Sequence, residues 1–458
     1  MRNMTLANIA ACLNSPLCQG LGKEALEITG AVLDSRKVEP GYLFFATRGE
    51  RVDGHSFIPQ VVEKGAALVV CEEAPEVHVP YILVKDTFAA LKTVAAFYRE
   101  QLDIPIIGVT GSVGKTSTKE MIAAGLSTKF NVLKTQGNFN NEVGLPLTIL
   151  SIREEHDAAV VEMGISHFGE MHRLSEIAKP DICVITNIGQ CHLENLIDRD
   201  GVLRAKSEIF DFMKKDGFVV LNGDDDKLAT IKEIHGRKPY FFGIGPEGAV
   251  AKDAFAVEIQ SKGLFGSDFQ MQLMGDDVDA FVPLPGQHMV VNALAAACVG
   301  RILGMTNEEV LSGIASVQAT GGRSNIMRLS DKTIIDDCYN ANPVSMRSAI
   351  DLLAMAQGTK TVILGDMFEL GVDELSLHRE VGYYAAMALL DNMIFIGNLA
   401  KQMYEGARKL RAMAEYYPDK KAFFAAHSPE DFKETTVLVK ASNGMQFKEI
   451  VDWLKFEI

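Results

Sequence analysis

The chain has 458 residues, 47% hydrophobic and 23% charged, an ordinary globular composition with length for roughly two to four domains. Its 60 acidic against 45 basic residues give a net charge of −15, which argues against nucleic acid as a partner, since that needs a basic footprint, but allows an anionic small molecule in a locally basic pocket. The seven cysteines stand without a CxxC pair, against a zinc ribbon or thioredoxin-like motif, and no apolar run nears the ~20 residues of a membrane helix.

The N-terminal MRNMTLANIA has no secretory pattern, so the expectation is a cytoplasmic protein without membrane insertion. Three α/β units are expected, at 1–101, 102–317 and 318–458. In the first, strands at Gly41–Thr47 and Ala67–Cys71 are broken by Pro40-Gly41 and Asp53-Gly54. Phe88, Leu91, Val94 and Tyr98 then fall at helical spacing over Thr87–Arg99.

The second unit opens on the strand Ile104–Val109. Further strands at Ala158–Met163, Ile182–Thr186 and Phe218–Leu221 alternate with helical stretches, which predicts a parallel sheet with crossover helices. Residues 251–285 read as short antiparallel strands on the sheet edge, followed by an Ala-rich helix over His288–Leu303. In the third unit, strands at Thr333–Asp337, Thr361–Leu364, Met393–Ile396, Ala422–Phe424 and Thr436–Val439 predict a smaller doubly wound, Rossmann-like sheet.

The strongest motif runs from Gly108 to Thr116, Gly-Val-Thr-Gly-Ser-Val-Gly-Lys-Thr, between a strand and a helix. Its glycines let backbone N–H groups turn toward phosphate oxygens, and the helix start adds a positive dipole end. Lys115 would reach the terminal phosphates and the Thr116 hydroxyl a Mg²⁺ ion. Val109 stands where the general phosphate-loop pattern has glycine.

Other positions carry less on their own. Glu162, at a strand end, is either a Mg²⁺ ligand or a solvent-facing carboxylate. His192 could ligate a metal or orient phosphate. Its neighbour Cys191 reads as a small buried residue, because adjacent Cys and His side chains do not readily face one substrate. Lys206 reads as a solvated helix residue. Asp224-Asp225-Asp226 fails the calcium-loop spacing, since Ala229 stands where glycine is needed, and reads as an N-capping turn. His378 reads as a surface or capping histidine.

Together these residues resemble the muramyl-peptide ligase family. Its motifs are matched by Thr110–Thr116, Glu162, the Asn187–Glu194 stretch with His192, Ala205-Lys206-Ser207-Glu208-Ile209-Phe210, Asn292 in Asn-Ala-Leu-Ala-Ala-Ala, Arg323, and Asp336–Pro343. The resemblance implies ATP bound by Gly111, Ser112, Gly114, Lys115, Thr116, Ser117, Asn292, Arg323 and Asp337. It also implies two Mg²⁺ ions on Thr116, Glu162, His192 and Lys206, the last carbamylated. Lys115, Glu162, His192 and Lys206 would be the catalytic set.

Three further stretches point to one activity within the family: Asp34-Ser35-Arg36, Gly137–Pro146 and Leu364–Gly371. They imply that 1–101 binds a UDP-N-acetylmuramoyl-tripeptide, 102–317 binds ATP, and 318–458 completes a monomeric ligase. That ligase would add D-alanyl-D-alanine through an acyl phosphate, in peptidoglycan precursor synthesis. Ser35, Arg36, Asn138, Asn141, Asn340 and Asn342 would meet substrate. The alternatives are a relative adding a diamino acid or a glutamate tail, and a non-catalytic nucleotide-binding protein. The family's usual Lys-Gly-Ser-Arg is Lys440-Ala441-Ser442-Asn443 here.

Overall fold

The computed structural model describes residues 1–49, 52–318, 325–410 and 413–455. It contains three α/β sheets in chain order. The first has five strands, ordered Leu17–Cys18, Tyr81–Leu83, Leu68–Cys71, Tyr42–Phe45 and Gly30–Val32, all parallel except the first.

The central sheet has nine strands. Ile106–Thr110 lies third from one edge, between Ala158–Glu162 and Ile182–Ile185, and all three are buried along their whole length. Covered on both faces, they read as continuous apolar runs rather than alternating ones. Beyond Phe218–Asn222 and Tyr240–Ile244, the strand Ala254–Ser261 continues the parallel pairing. Only the two pairings of Ser267–Leu273, with Ala254–Ser261 and with Asp276–Val282, are antiparallel, so the expected edge addition is real but its first strand is not antiparallel to the main sheet.

The third sheet runs Asn325–Arg328, Thr333–Asp336, Thr435–Lys440, Thr359–Gly365, Asn392–Ile396 and Ala414–Tyr417, parallel except at its first strand. One sequence expectation fails here. Ala422–Phe424 is not a strand but part of the helix Lys420–Ala426, which Asp419 caps by accepting from the Ala422 amide. A three-residue apolar run fits either structure, and periodicity cannot decide between them. The real edge strand, Ala414–Tyr417, is only half-buried and lacks that apolar signal.

The helix Thr87–Arg99 joins the first two sheets. Asp86 accepts from the Phe88 and Ala89 amides to start it, and Leu91, Val94 and Tyr98 are buried on one face. Tyr98 donates to the Ile152 carbonyl, and the buried Arg99 guanidinium donates to the carbonyls of Ala178 and Lys179 and to Asp181. One apolar cluster accordingly runs from Met4 and Leu43 through Tyr98 into Leu145, Val161 and Leu174. The two clusters of the third unit have their fully buried members between Ile334 and Leu454. Among the described residues no helix is long and apolar enough to cross a membrane.

Candidate functional site

The strand Ile106–Thr110 ends under a loop whose two glycines hold positive φ, Gly111 at 150° and Gly114 at 85°. A Cβ on Gly111 would stand 1.9 Å from Thr186 Oγ1, so the approach of the neighbouring strand end requires glycine there. Thr186 and Asn187 donate to the Val113 carbonyl, and Asn187 Oδ1 accepts from the Val113 amide. The helix Lys115–Leu126 starts directly afterwards, so its N-terminal, positive dipole end lies at the loop.

Lys115 Nζ donates to the Gly111 carbonyl at 2.8 Å and curls back over the loop. Thr116 Oγ1 donates to Glu162 Oε2 at 2.6 Å. Asn140 Nδ2 donates to the other oxygen, Oε1, at 2.8 Å. Glu162 is therefore not the solvent-facing carboxylate that the sequence left open; it is buried and pinned. The buried Asn292 accepts from Thr118 Oγ1 at 2.9 Å and borders Gly114.

Lys206 corrects the reading of a solvated helix residue. Its side chain is buried, and desolvation, helped by the Lys115 charge, pulls its amine down to about 8. His192 caps the short helix Leu193–Leu196 in the left-handed conformation, φ 52°. Desolvation lowers its pKa, with Glu369 opposing and the charges of Lys115 and Lys206 adding to the effect. His192 Nδ1 lies 2.8 Å from Glu369 Oε2, an ion-pair distance, yet the atom meets no hydrogen-bond geometry. Cys191 is buried as expected, its thiol on Ser112 Oγ.

The facing wall comes from the third unit. Asp337, rather than Asp336, reaches the cleft, where Lys440 Nζ donates to its Oδ2 at 2.5 Å and to the Asn340 carbonyl at 2.9 Å. Asp336 is fully buried, held by Lys448 and Cys338. Asn342 caps the helix Pro343–Ala354 through the Ser345 amide. Between the two walls lies a cavity of about 750 Å³. Ser112, Gly114, Lys115, Ser117, Glu162, His192, Asn292, Asn141, Asp337, Asn340 and Asn342 reach its surface. Gly111, Thr116 and Lys206 sit behind that surface.

Not every expected residue joins them. Ser35 and Arg36 lie in the first unit, the Ser35 carbonyl taking the Lys64 ammonium and Arg36 chelating Asp34. Asn138 is exposed on its loop and does not line the cavity. Arg323 falls outside the described residues. His378, expected at the surface, is fully buried: Nδ1 donates to the Glu374 carbonyl and Nε2 accepts from the Met367 amide, so burial lowers its pKa. It shares the inner face of its helix with Leu377 and Val381, a phase that its charged neighbour Arg379 disguised.

Sequence reasoning missed His288 and Lys440 as cavity residues and Glu369 as the partner of His192. A histidine two residues after Gly286 at a helix start was the available signal for the first. The other two depend on contacts across long sequence separations and left none.

Three family descriptions match the chain: "Mur ligase family, catalytic domain" over 27–111, "Mur ligase middle domain" over 109–300, and "Mur ligase, glutamate ligase domain" over 322–443. The UDP-N-acetylmuramoyl-tripeptide–D-alanyl-D-alanine ligase of Bacillus subtilis (strain 168) is 38% identical over 460 residues, 98% of each chain. A crystal structure of MurF from Acinetobacter baumannii superposes with a TM-score of 0.88 at 32% identity, covering 98% of both chains. MurF ligase from Thermotoga maritima, solved in complex with ADP, gives a TM-score of 0.80 at 28% identity, covering 93% of this chain and 96% of that one.

Proposed function

The chain belongs to the Mur ligase family, and from that premise we propose that it joins D-alanyl-D-alanine to a UDP-N-acetylmuramoyl-tripeptide with hydrolysis of ATP to ADP and phosphate. The observation that carries the reading is the cavity itself, where a phosphate-binding loop faces the carboxylate and amide side chains of a second α/β unit. In the proposed division of labour, 1–101 holds the UDP end through Ser35 and Arg36, 102–317 holds ATP, and 318–458 closes the site. Asn138, Asn141, Asn340 and Asn342 would meet the two peptides, and Arg323 the nucleotide. We propose a monomer working in the cytoplasm; the seven free thiols agree with a reducing compartment.

The residues present suit ATP. The helix start at Lys115 stands over the glycine loop, Lys115 reaches back across that loop to the Gly111 carbonyl where phosphate oxygen would lie, and Asn292 and Asp337 line the cavity for adenine and ribose. They also suit Mg²⁺. Among the described residues no three His, Cys, Asp or Glu side chains converge. The buried Thr116 hydroxyl and Glu162 carboxylate instead offer hard oxygen donors, and Mg²⁺ is usually held by one or two such groups plus substrate phosphates. A second ion would fall to His192 and Lys206. Carbamylation would turn the buried Lys206 cation into an oxygen ligand. Bound Mg²⁺ would supply neutralisation of charge on the transferring phosphoryl group.

The tripeptide's terminal carboxylate oxygen attacks the γ-phosphorus, and the bond to the β-phosphate oxygen breaks, giving ADP and an acyl phosphate. The amine of D-alanyl-D-alanine then attacks the acyl carbon, loses a proton, and inorganic phosphate leaves. Lys115 and the loop amides stabilise charge in the first step. Closure of the third unit's wall would exclude water, which would otherwise hydrolyse the acyl phosphate.

The test is phosphate release from ATP with a UDP-muramyl-tripeptide, with and without D-alanyl-D-alanine, using lysine and diaminopimelate tripeptides in parallel. Release requiring both peptides is expected, reduced about 10²–10³-fold in Lys115→Ala. Release that ignores D-alanyl-D-alanine, or survives Lys115→Ala intact, overturns the reading.

A further inference from the structure

Glu369 and His192 come from different units and are 177 positions apart, yet their side chains meet at 2.8 Å. Both residues hold left-handed backbone, Glu369 at φ 63° and His192 at φ 52°. Non-glycine residues stay there only where their surroundings over-determine them, and such residues gather at ligand clamps and switch regions. The approach is not confined to one pair. A Cβ on Gly371, two residues beyond Glu369, would lie in ordinary contact with Glu194, two residues beyond His192. On the third-unit side, Ser442 Oγ accepts from the Phe368 amide and pins the segment that carries Glu369.

Magnitude limits what the contact can do. The Glu369 side chain is 64% exposed, and a pair this wet is too weak to hold two units together. The His192 side chain is only 24% exposed, and its Nδ1 is buried without a hydrogen bond. An imidazole that faces a reacting site through one nitrogen is oriented by what the other nitrogen touches. The poor alignment here matches a contact that tightens when substrate closes the cleft.

We infer that Glu369 is a positioning residue that orients the His192 ring from the third unit, so that His192 takes its working geometry only when that unit is docked. The inference rests on the proposed membership of His192 in the site. Glu369 itself touches no reacting atom.

Glu369→Gly removes the carboxylate and suits the positive φ, so folding is preserved. Glu369→Gln keeps an acceptor oxygen. Glu369→Gly is expected to lower kcat about ten-fold with the KM for ATP and the melting temperature unchanged. Glu369→Gln should stay within about three-fold of wild type, because an amide oxygen can also accept from Nδ1–H once the closed cleft aligns the two. In the nucleotide-free protein, amide hydrogen exchange across 190–197 should quicken in Glu369→Gly and remain as wild type in Glu369→Gln. Because Glu369 acts through His192, adding Glu369→Gly to His192→Ala should slow the enzyme no further. Full additivity of the two substitutions, unchanged exchange at 190–197, or Glu369→Gln as slow as Glu369→Gly overturns the inference. Wild-type activity in His192→Ala would instead remove His192 from the site and with it the reading beneath.

Discussion

The central unit meets its two neighbours in opposite ways. Against the first unit it shares one apolar cluster, and the buried Arg99 and Tyr98 cross the seam to four backbone or carboxylate oxygens. Against the third unit it presents a cavity of mixed polar and apolar lining, and the third unit's fully buried clusters are its own, with only the half-buried Leu264 of the central unit packed against one of them. Apolar burial cannot be undone without exposing area to water, whereas two walls that leave a cavity between them can part at less cost. The first seam is built as scaffold, and the second is the one expected to move.

The largest effect should come from the first seam. Arg99→Ala removes a buried cation and strands the Ala178 and Lys179 carbonyls and part of the Asp181 carboxylate. A loss of about 3–5 kcal/mol is expected in denaturant unfolding. A loss below about 1 kcal/mol would mean that the seam is held by apolar contact alone.

Next, the two seams should separate in calorimetry. The first and central units are expected to unfold together and the third in a transition of its own, drawn toward the first by saturating ATP. A single transition without nucleotide would contradict independent cores.

A cleft residue should show the reverse balance to Arg99. Asp337→Asn keeps the shape beside Lys440 and is expected to lower kcat/KM about ten-fold, a little over 1 kcal/mol of transition-state binding. Its unfolding midpoint should fall less than in Arg99→Ala, since the buried Lys440 loses its counter-charge but keeps the Asn340 carbonyl and an amide oxygen.

The smallest effect is a pH dependence at the first seam. Glu142 accepts from Lys92, on the helix Thr87–Arg99, and in two places from Arg173. The Arg173 hydrogen bonds, with help from Lys92 and against partial desolvation, hold its carboxyl down at about 2, below the ordinary 4.5. A depressed folded pKa gives stability that is complete above pH 4.5 and fades as pH falls toward about 2. Thermal melts from pH 7 down to 3 should therefore fall less steeply in Glu142→Gln than in wild type. Parallel slopes would show that the trio is screened by solvent.

Much of this could be read from the chain alone. The phosphate loop between strand and helix, the parallel central sheet, Glu162 at a strand end and the helix Thr87–Arg99 all follow from local pattern, because glycine placement, capping and apolar period are local physics. Lys206 and His378 were misread for one reason: burial depends on which neighbours arrive from elsewhere, and a lysine or histidine on a helix carries no mark of them. Ala422–Phe424 was misread because three apolar residues have no period. Only the tertiary structure decided that Lys440 crosses 103 positions to hold Asp337 and that Glu369 finds His192. The first pairing forms between the ends of two neighbouring strands of one sheet and the second where two separately cored units touch, and neither is encoded in the local sequence of either partner.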